Sequence, residues 1–273
     1  MGTPTTFSFP SMRRLYRYLG ETDALVELTE LSTRSFIASA KQSGDVGTFV
    51  VNQSQQHGIR VNLAEVDSLS RHLGRSYIVT VYQSAERFLH EFRREHRALY
   101  ANEWTGDGDD VDPLTVALRN VAPSEDEAVK RVGADLISLF QYYRILRNWV
   151  VHTKESDVSK PSVKFHEIVP YSAENQHIFR ALNAPNPPAD ICFDDFIFFS
   201  RLTKFIAEKL CTVAEPPIDH WVRTFQLAPF KRLENNPLRM RNAVSGRLRT
   251  DYGMDAPTAQ WIAEELCGSL AER

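Results

Sequence analysis

The chain has 273 residues, 42% of them apolar and 25% charged, with a formal net charge of −3. Such a composition is that of an ordinary soluble globular protein, with room for one full core plus additions or for two small domains. The near-neutral balance excludes a global attraction to nucleic acid, so any such attraction must come from local patches. Cys192, Cys211 and Cys267 are odd in number and far apart, which argues against a disulfide framework and fits a reducing cytoplasm. Met1 to Pro10 has no basic region followed by an apolar one, so a secretory signal is not expected. No apolar run approaches the roughly 20 residues of a membrane helix. The richest stretch, Ile191 to Phe199, is short and carries Asp194 and Asp195. The expectation is a cytoplasmic protein without a membrane partner.

Leu15 to Lys41 spaces Leu25, Leu28, Leu31, Phe36 and Ile37 as one or two helices would. Thr48-Phe49-Val50-Val51 lies between polar stretches and reads as a short strand or an extended linker. Asn62 fits an N-cap with Glu65 as its capping-box partner, opening a helical pattern that runs to about Tyr100, with Gly74 as its expected break. Asn102 to Asp112 is an acidic loop, followed by a short helix over Leu114 to Val121. Ser124 then caps a central helix whose first turn carries Glu125, Asp126 and Glu127. Its pattern continues to about Lys154, a length near 45 Å at about 1.5 Å per residue. Lys160 to Tyr171 suggests a short strand pair and Ser172 to Leu182 a helix. Pro185, Pro187 and Pro188 form a loop before a long apolar helix over Phe193 to Val213. Two helices, Pro237 to Thr250 and Ala256 to Leu270, close the chain. The sum is an all-α protein built on a helical bundle.

The central helix carries the chemistry in Arg147-Asn148-Trp149-Val150-Val151-His152. Asn148 and His152 are four residues apart and share a stripe with Arg144, while Arg147 borders it. Ile145, Leu146, Trp149 and Val150 are expected to form the band facing the core. A stripe on a core-packed helix holds its side chains rigidly. The plain alternative is a surface Arg/His pair, which this spacing produces by accident often.

Arg147-Asn148-xxx-His152 resembles the signature of the HEPN superfamily, R-x4-6-H with a polar residue after the arginine. The resemblance covers about Asn62 to Ala214. It extends to Glu86 on an earlier helix, matching an acidic position of that family, and to the closing helix Phe193 to Val213. It implies a HEPN-like helical bundle over 62–214, with an N-terminal helical extension (1–61) and a C-terminal basic helical region (215–273). It also implies a cofactor-free, metal-independent endoribonuclease that acts as a homodimer, with catalytic residues Arg147, Asn148, His152 and Glu86. A histidine, with an ordinary pKa near 6.5, can take the proton of a ribose 2′-OH or protonate the departing 5′-oxygen. Arginine offers a permanent fork of donors to the phosphate. Toxin or antiviral-defence roles, and an antitoxin or regulatory protein as a further partner, come with the resemblance. The rival is a non-catalytic HEPN-like module that binds a protein, a nucleotide or RNA.

Other signals carry less. His90-Glu91-Phe92-Arg93-Arg94-Glu95-His96 fails both zinc-protease spacings and reads as a solvated helix face. Asp107, Asp109, Asp110 and Asp112 lack the glycine and closing glutamate of a calcium loop. No G-x-S-x-G, P-loop or C-x-x-C motif occurs. His220 to Thr250 carries Arg223, Lys231, Arg232, Arg239, Arg241, Arg247 and Arg249, interleaved with Trp221, Phe225 and Phe230. That mixture suits a nucleic-acid backbone and unstacked bases. Arg239, Arg241, Arg247 and Arg249, together with Arg144, are the expected RNA contacts. The alternative is a basic helix packed on acidic parts of the same chain, with the aromatic residues in the core.

Overall fold

The computed structural model describes residues 7–62, 66–106, 111–152 and 159–271. Among them every regular element is helical, so the chain is all-α as its periodicity predicts. The elements are α1 (Pro10–Gln42), α2 (Val46–His57), α3 (Leu69–Tyr100), α4 (Pro113–Asn120), α5 (Glu125–Val132), α6 (Ala134–Val151) and α7 (Ser159–Phe179). They are followed by α8 (Phe193–Val213), α9 (Ile218–Thr224), α10 (Pro237–Tyr252) and α11 (Ala256–Ala271). A 3-10 turn at Val66–Ser68 precedes α3, and a 3-10 segment at Ala228–Leu233 follows α9. None of these helices is long and apolar enough to cross a membrane.

Where the elements differ from expectation, the reason is local and visible. The stretch 48–51 is helical in α2, because Asp45 caps it, accepting from Thr48 N at 3.0 Å, and Gly58 stops it at φ 66°. Two strong caps outweigh the weak helix propensity of the β-branched run. Gly74 does not break α3. A Cβ there would lie 2.8 Å from Ile191 O and 2.9 Å from the Cys192 Cα, so the glycine permits close backbone approach. The central helix is split: Gly133, at φ 114° and ψ 116°, ends α5 and lets α6 start afresh. Ser124 still caps as predicted, accepting from Glu127 N at 3.2 Å. The expected strand pair at 160–171 is instead the first half of α7, which continues through Pro170. Proline removes one helical hydrogen bond and reads as a boundary, yet buried Ile168 and Phe179 anchor α7 on both sides of it. The predicted Asn62–Glu65 capping box involves Glu65, and the acidic loop includes 107–110; these lie outside the described residues.

Two compact units are assembled from alternating segments: Met1–Arg17, Ala85–Ile137 and Lys204–Arg273 in one, Tyr18–Ser84 and Ser138–Thr203 in the other. This division cuts across the sequential boundaries at 61/62 and 214/215.

In the first unit, Phe9 packs edge-on against Phe92 at 5.1 Å, and Phe92 against Trp104 at 6.1 Å. Arg13 donates to the carbonyls of Thr250 and Asp251 at 2.9 Å each, satisfying oxygens that the end of α10 leaves unpaired. Arg14 pairs with Glu91 at 2.6 Å and with Glu95. The 90–96 stretch is therefore not simply a solvated face. His90 is exposed, but Phe92 and His96, four apart, point into the core. His96 accepts from Trp104 Nε1 at 3.1 Å and stacks on Tyr100 at 4.4 Å. Burial, aided by His220, lowers its pKa to about 4, so it is neutral near pH 7.

In the second unit the core runs through Tyr143, stacked on Phe199 at 4.6 Å, and Phe196, Phe198 and Leu202 of α8. Asp195 is buried, which raises its carboxyl pKa. Four donors oppose that shift: Asn186 N and Nδ2 at 2.9 Å each, Cys192 N at 3.0 Å and the Tyr143 hydroxyl at 3.0 Å. This knot fastens the 183–192 loop to the start of α8 and to α6.

Candidate functional site

The C-terminal half of α6 borders a cleft of about 480 Å³ in the second unit. Its walls are Arg144, Ile145, Asn148, Trp149 and His152 from α6 and Lys160 and Pro161 from α7. The neighbouring helix is held by Phe165, 5.7 Å from Tyr142, which sets the mouth of α7 beside the end of α6. The predicted stripe of Arg144, Asn148 and His152 thus opens onto one concave surface. His152 is exposed and follows the last residue of α6; its N–H donates to Asn148 O at 2.9 Å, extending the last turn.

Arg147 takes another direction. Its guanidinium lies over the Tyr82 ring at 5.0 Å from the centroid, and Nη1 donates to Asn148 Oδ1 at 3.1 Å. Its Nε is buried and has no hydrogen-bond partner. Arg147 is not one of the cleft-lining residues, and it reaches the stripe through the Asn148 amide. Asn148, a cleft-lining residue, is therefore held through its Oδ1 by a residue outside that lining.

Trp149 corrects the expected core band. Of the four residues assigned to it, Leu146 is buried, whereas Ile145, Trp149 and Val150 are half-exposed and the first two line the cleft. At about 100° per residue Trp149 stands only about 60° around the helix from His152, at the edge of the stripe and not opposite it. Arg75 of α3 lies over the Trp149 ring at 4.9 Å, with its own Nε buried and unpartnered. Sequence reasoning missed Arg75, Tyr82 and Lys160. The first two share one face of α3, seven residues apart, a spacing that was legible; nothing local signalled that this face meets α6.

Cations dominate this region. Arg75, Arg144 and Arg147 have no carboxylate partner among the described residues, and Lys160 is exposed. Such a surface favours an anion. The exposed His152 imidazole shares this wall with those cations.

The remaining predicted residues fall in the other unit. Glu86 is half-buried on α3. Arg239 and Arg249 are exposed on α10 and have no ion pair among the described residues. Arg247 pairs with Asp251, and Arg241 approaches Glu264 at 4.0 Å with its Nε buried and unpartnered. The expected basic surface is thus partly neutralised within α10 and α11.

No protein-family model, curated protein or solved structure matches the chain. The roles of these residues rest on their chemistry and placement.

Proposed function

We propose that the chain is a metal-independent endoribonuclease of HEPN type, working as a homodimer in the cytoplasm as a toxin or antiviral-defence effector. The observation that carries the reading is His152 exposed in a cleft with Asn148 and the cations Arg144 and Lys160. RNA supplies its own nucleophile. The histidine takes the proton of a ribose 2′-OH, the freed oxygen attacks the adjacent phosphorus, and the 5′-oxygen leaves with a proton from a second acid. The products are a 2′,3′-cyclic phosphate and a 5′-hydroxyl. Arg144 and Lys160 hold the phosphate, and Arg147 orients Asn148 toward it. One cleft contains one histidine; the histidine of a second copy fills the acid role. Glu86 is assigned as an orienting carboxylate by the family resemblance alone. An antitoxin or regulatory protein that restrains the enzyme follows from the same resemblance.

A second reading has an observation of its own. Arg147 stacked on Tyr82 with a buried Nε is what a packing residue looks like, and it favours a non-catalytic helical module that binds a protein, a nucleotide or RNA. A digest of mixed RNAs in EDTA with end-group analysis separates the two. Cyclic phosphate ends that disappear in His152→Ala, with an unchanged unfolding curve, support the nuclease. RNA left intact by the wild-type dimer, with His152→Ala merely less stable, supports the module.

A further inference from the structure

A second cleft, of about 430 Å³, lies in the other unit and plays no part in the chemistry above. It is bordered by Phe9 and Pro10, by α3 at Glu95, and by Trp221, Phe225, Phe230 and Tyr252. Its size falls within the range of small-ligand pockets, about 300–1,000 Å³. Tyr252 meets Trp221 edge-on at 4.9 Å, and the half-exposed Phe225 and Phe230 are nearly parallel, 15° apart in plane with centroids at 6.3 Å. These rings offer flat apolar faces to a flat ligand.

The charges within the cleft are already satisfied. Glu95 is held by Arg14 at 2.5 Å and accepts from Ser11 N at 2.9 Å, and Asp251 is paired with Arg247. A cationic guest would find no open carboxylate. One polar atom does lack a partner: Trp221 is 1% exposed, and its Nε1 donor is buried without an acceptor. Leaving a buried donor unmade is costly, and a ligand whose entry shifts the wall at Trp221 can meet it with an acceptor. Outside the cleft the balance reverses. Lys231 and Arg232 follow the lining residue Phe230 directly; both are exposed and have no carboxylate partner among the described residues, whereas Arg223 and Arg249 stand about 200° round their helices from the lining residues Trp221 and Arg247.

A neutral aromatic ring with hydrogen-bond acceptors, attached to phosphate, matches both halves of this arrangement. We propose that the cleft is a binding site for one unstacked nucleobase, with its ring against Phe225, Phe230 and Tyr252, an acceptor that reaches Trp221 Nε1 as the wall shifts to admit the base, and its phosphates beside Lys231 and Arg232. The base comes from a single-stranded RNA or from a free nucleotide. The proposal stands apart from the ribonuclease reading, because it uses neither His152 nor the α6 cleft.

The test is equilibrium binding of the full-length protein to a labelled ten-residue 2′-O-methyl oligonucleotide, which has no free 2′-OH and is not a substrate for 2′-OH attack. An abasic strand of equal charge is the comparison. Stacking on an aromatic side chain is strong enough that the abasic strand should bind about tenfold more weakly. Trp221→Phe keeps an aromatic side chain, though a smaller one, and removes the donor; it should weaken the base-containing strand about threefold or more and leave the abasic strand unchanged. Phe225→Ala should do the same about fivefold or more. If Phe225→Ala unfolds, Trp221→Phe decides. Displacement of the strand by adenosine or uridine monophosphate, and not by ribose 5-phosphate, supports the proposal with a free nucleotide as the source. No displacement, with base-dependent strand binding, supports it with RNA as the source. Equal affinity for the two strands, no binding of either, or unchanged affinity in Trp221→Phe overturns it.

Discussion

The cleft beside α6 is walled by Arg144, Asn148, His152 and Lys160, whereas the cleft beside α9 and α10 is walled by Trp221, Phe225, Phe230 and Tyr252. The first has an exposed imidazole and an arginine, Arg144, that donates to Gln141 Oε1 and has no carboxylate partner among the described residues. In the second each charge is paired, and among its described buried polar atoms the indole N–H of Trp221 lacks a partner. Fixed cations around a titratable group suit the movement of protons on a phosphate. Rings around a single donor suit the recognition of a flat ligand. The contrast teaches that the aromatic residues interleaved with the basic C-terminal stretch are neither wholly core nor wholly surface. Trp221 is core, and Phe225 and Phe230 are half-exposed cleft walls.

The proposed division of labour can be broken most directly at His152. His152→Ala should lower RNA cleavage in EDTA about 100-fold or more, the range for a lost general acid or base, while leaving oligonucleotide affinity unchanged. A proportional loss of affinity and cleavage would merge the two clefts into one binding surface.

Acid should act on the unit of the aromatic cleft. Burial lowers the pKa of His96 below its unfolded value, to about 4. The unfolded chain therefore binds a proton that the folded one refuses. The contribution is fully present above about pH 6.5 and is lost as pH falls toward about 4, amounting to roughly 2–3 kcal/mol. Urea unfolding between pH 7 and pH 4.5 should show the loss, and His96→Phe should flatten it even if that variant is weaker at pH 7. An identical slope in wild type and variant would remove His96 as the cause.

Gly74→Ala tests the other unit. The new methyl would press on the Ile191 and Cys192 backbone, and overpacking of this kind costs about 1–3 kcal/mol. Because Arg75 is the next residue and stacks on Trp149, the variant should also raise Trp149 exposure to acrylamide quenching. A fully stable variant with unchanged quenching would mean that α3 does not set this wall.

Smaller still is Asp45→Ala, which removes the α2 cap and should cost about 1 kcal/mol, read as faster amide exchange over Val46–His57. Removing one phosphate-binding cation has the smallest effect. Arg144→Ala should reduce the slope of log affinity against log salt by about one, without changing any base preference.

Much of the helical scaffold was legible. The span Phe193–Val213 was read to the residue, and α10 and α11 to within two residues at either end. Apolar periodicity and the flanking prolines mark those ends locally. Ser124 was legible as a cap for the same reason, since a hydroxyl before three acidic residues needs no distant partner. The errors fall where a local signal had two meanings. Gly74 and Gly133 are both glycines inside a helical pattern; one allows two backbones to approach and the other ends a helix. The strand pair expected over Lys160 to Tyr171 is half of α7, and a helix that runs through Pro170 is recognised only from what packs around it.

The site divides along the same line. Sequence alone determined that Arg144, Asn148 and His152 share a stripe, because the 3.6-residue turn places them there wherever the helix packs. It also determined the all-α class, through periodicities that repeat along the chain. Only the tertiary structure decided that Arg147 turns to Tyr82, that Trp149 lines a cleft with Lys160, and that His96 is buried. Only there do Phe9, Glu95, Trp221 and Tyr252, far apart in the chain, border one aromatic cleft. Backbone geometry orders side chains around a helix, but which side of that helix loses water is settled by segments tens or hundreds of residues away.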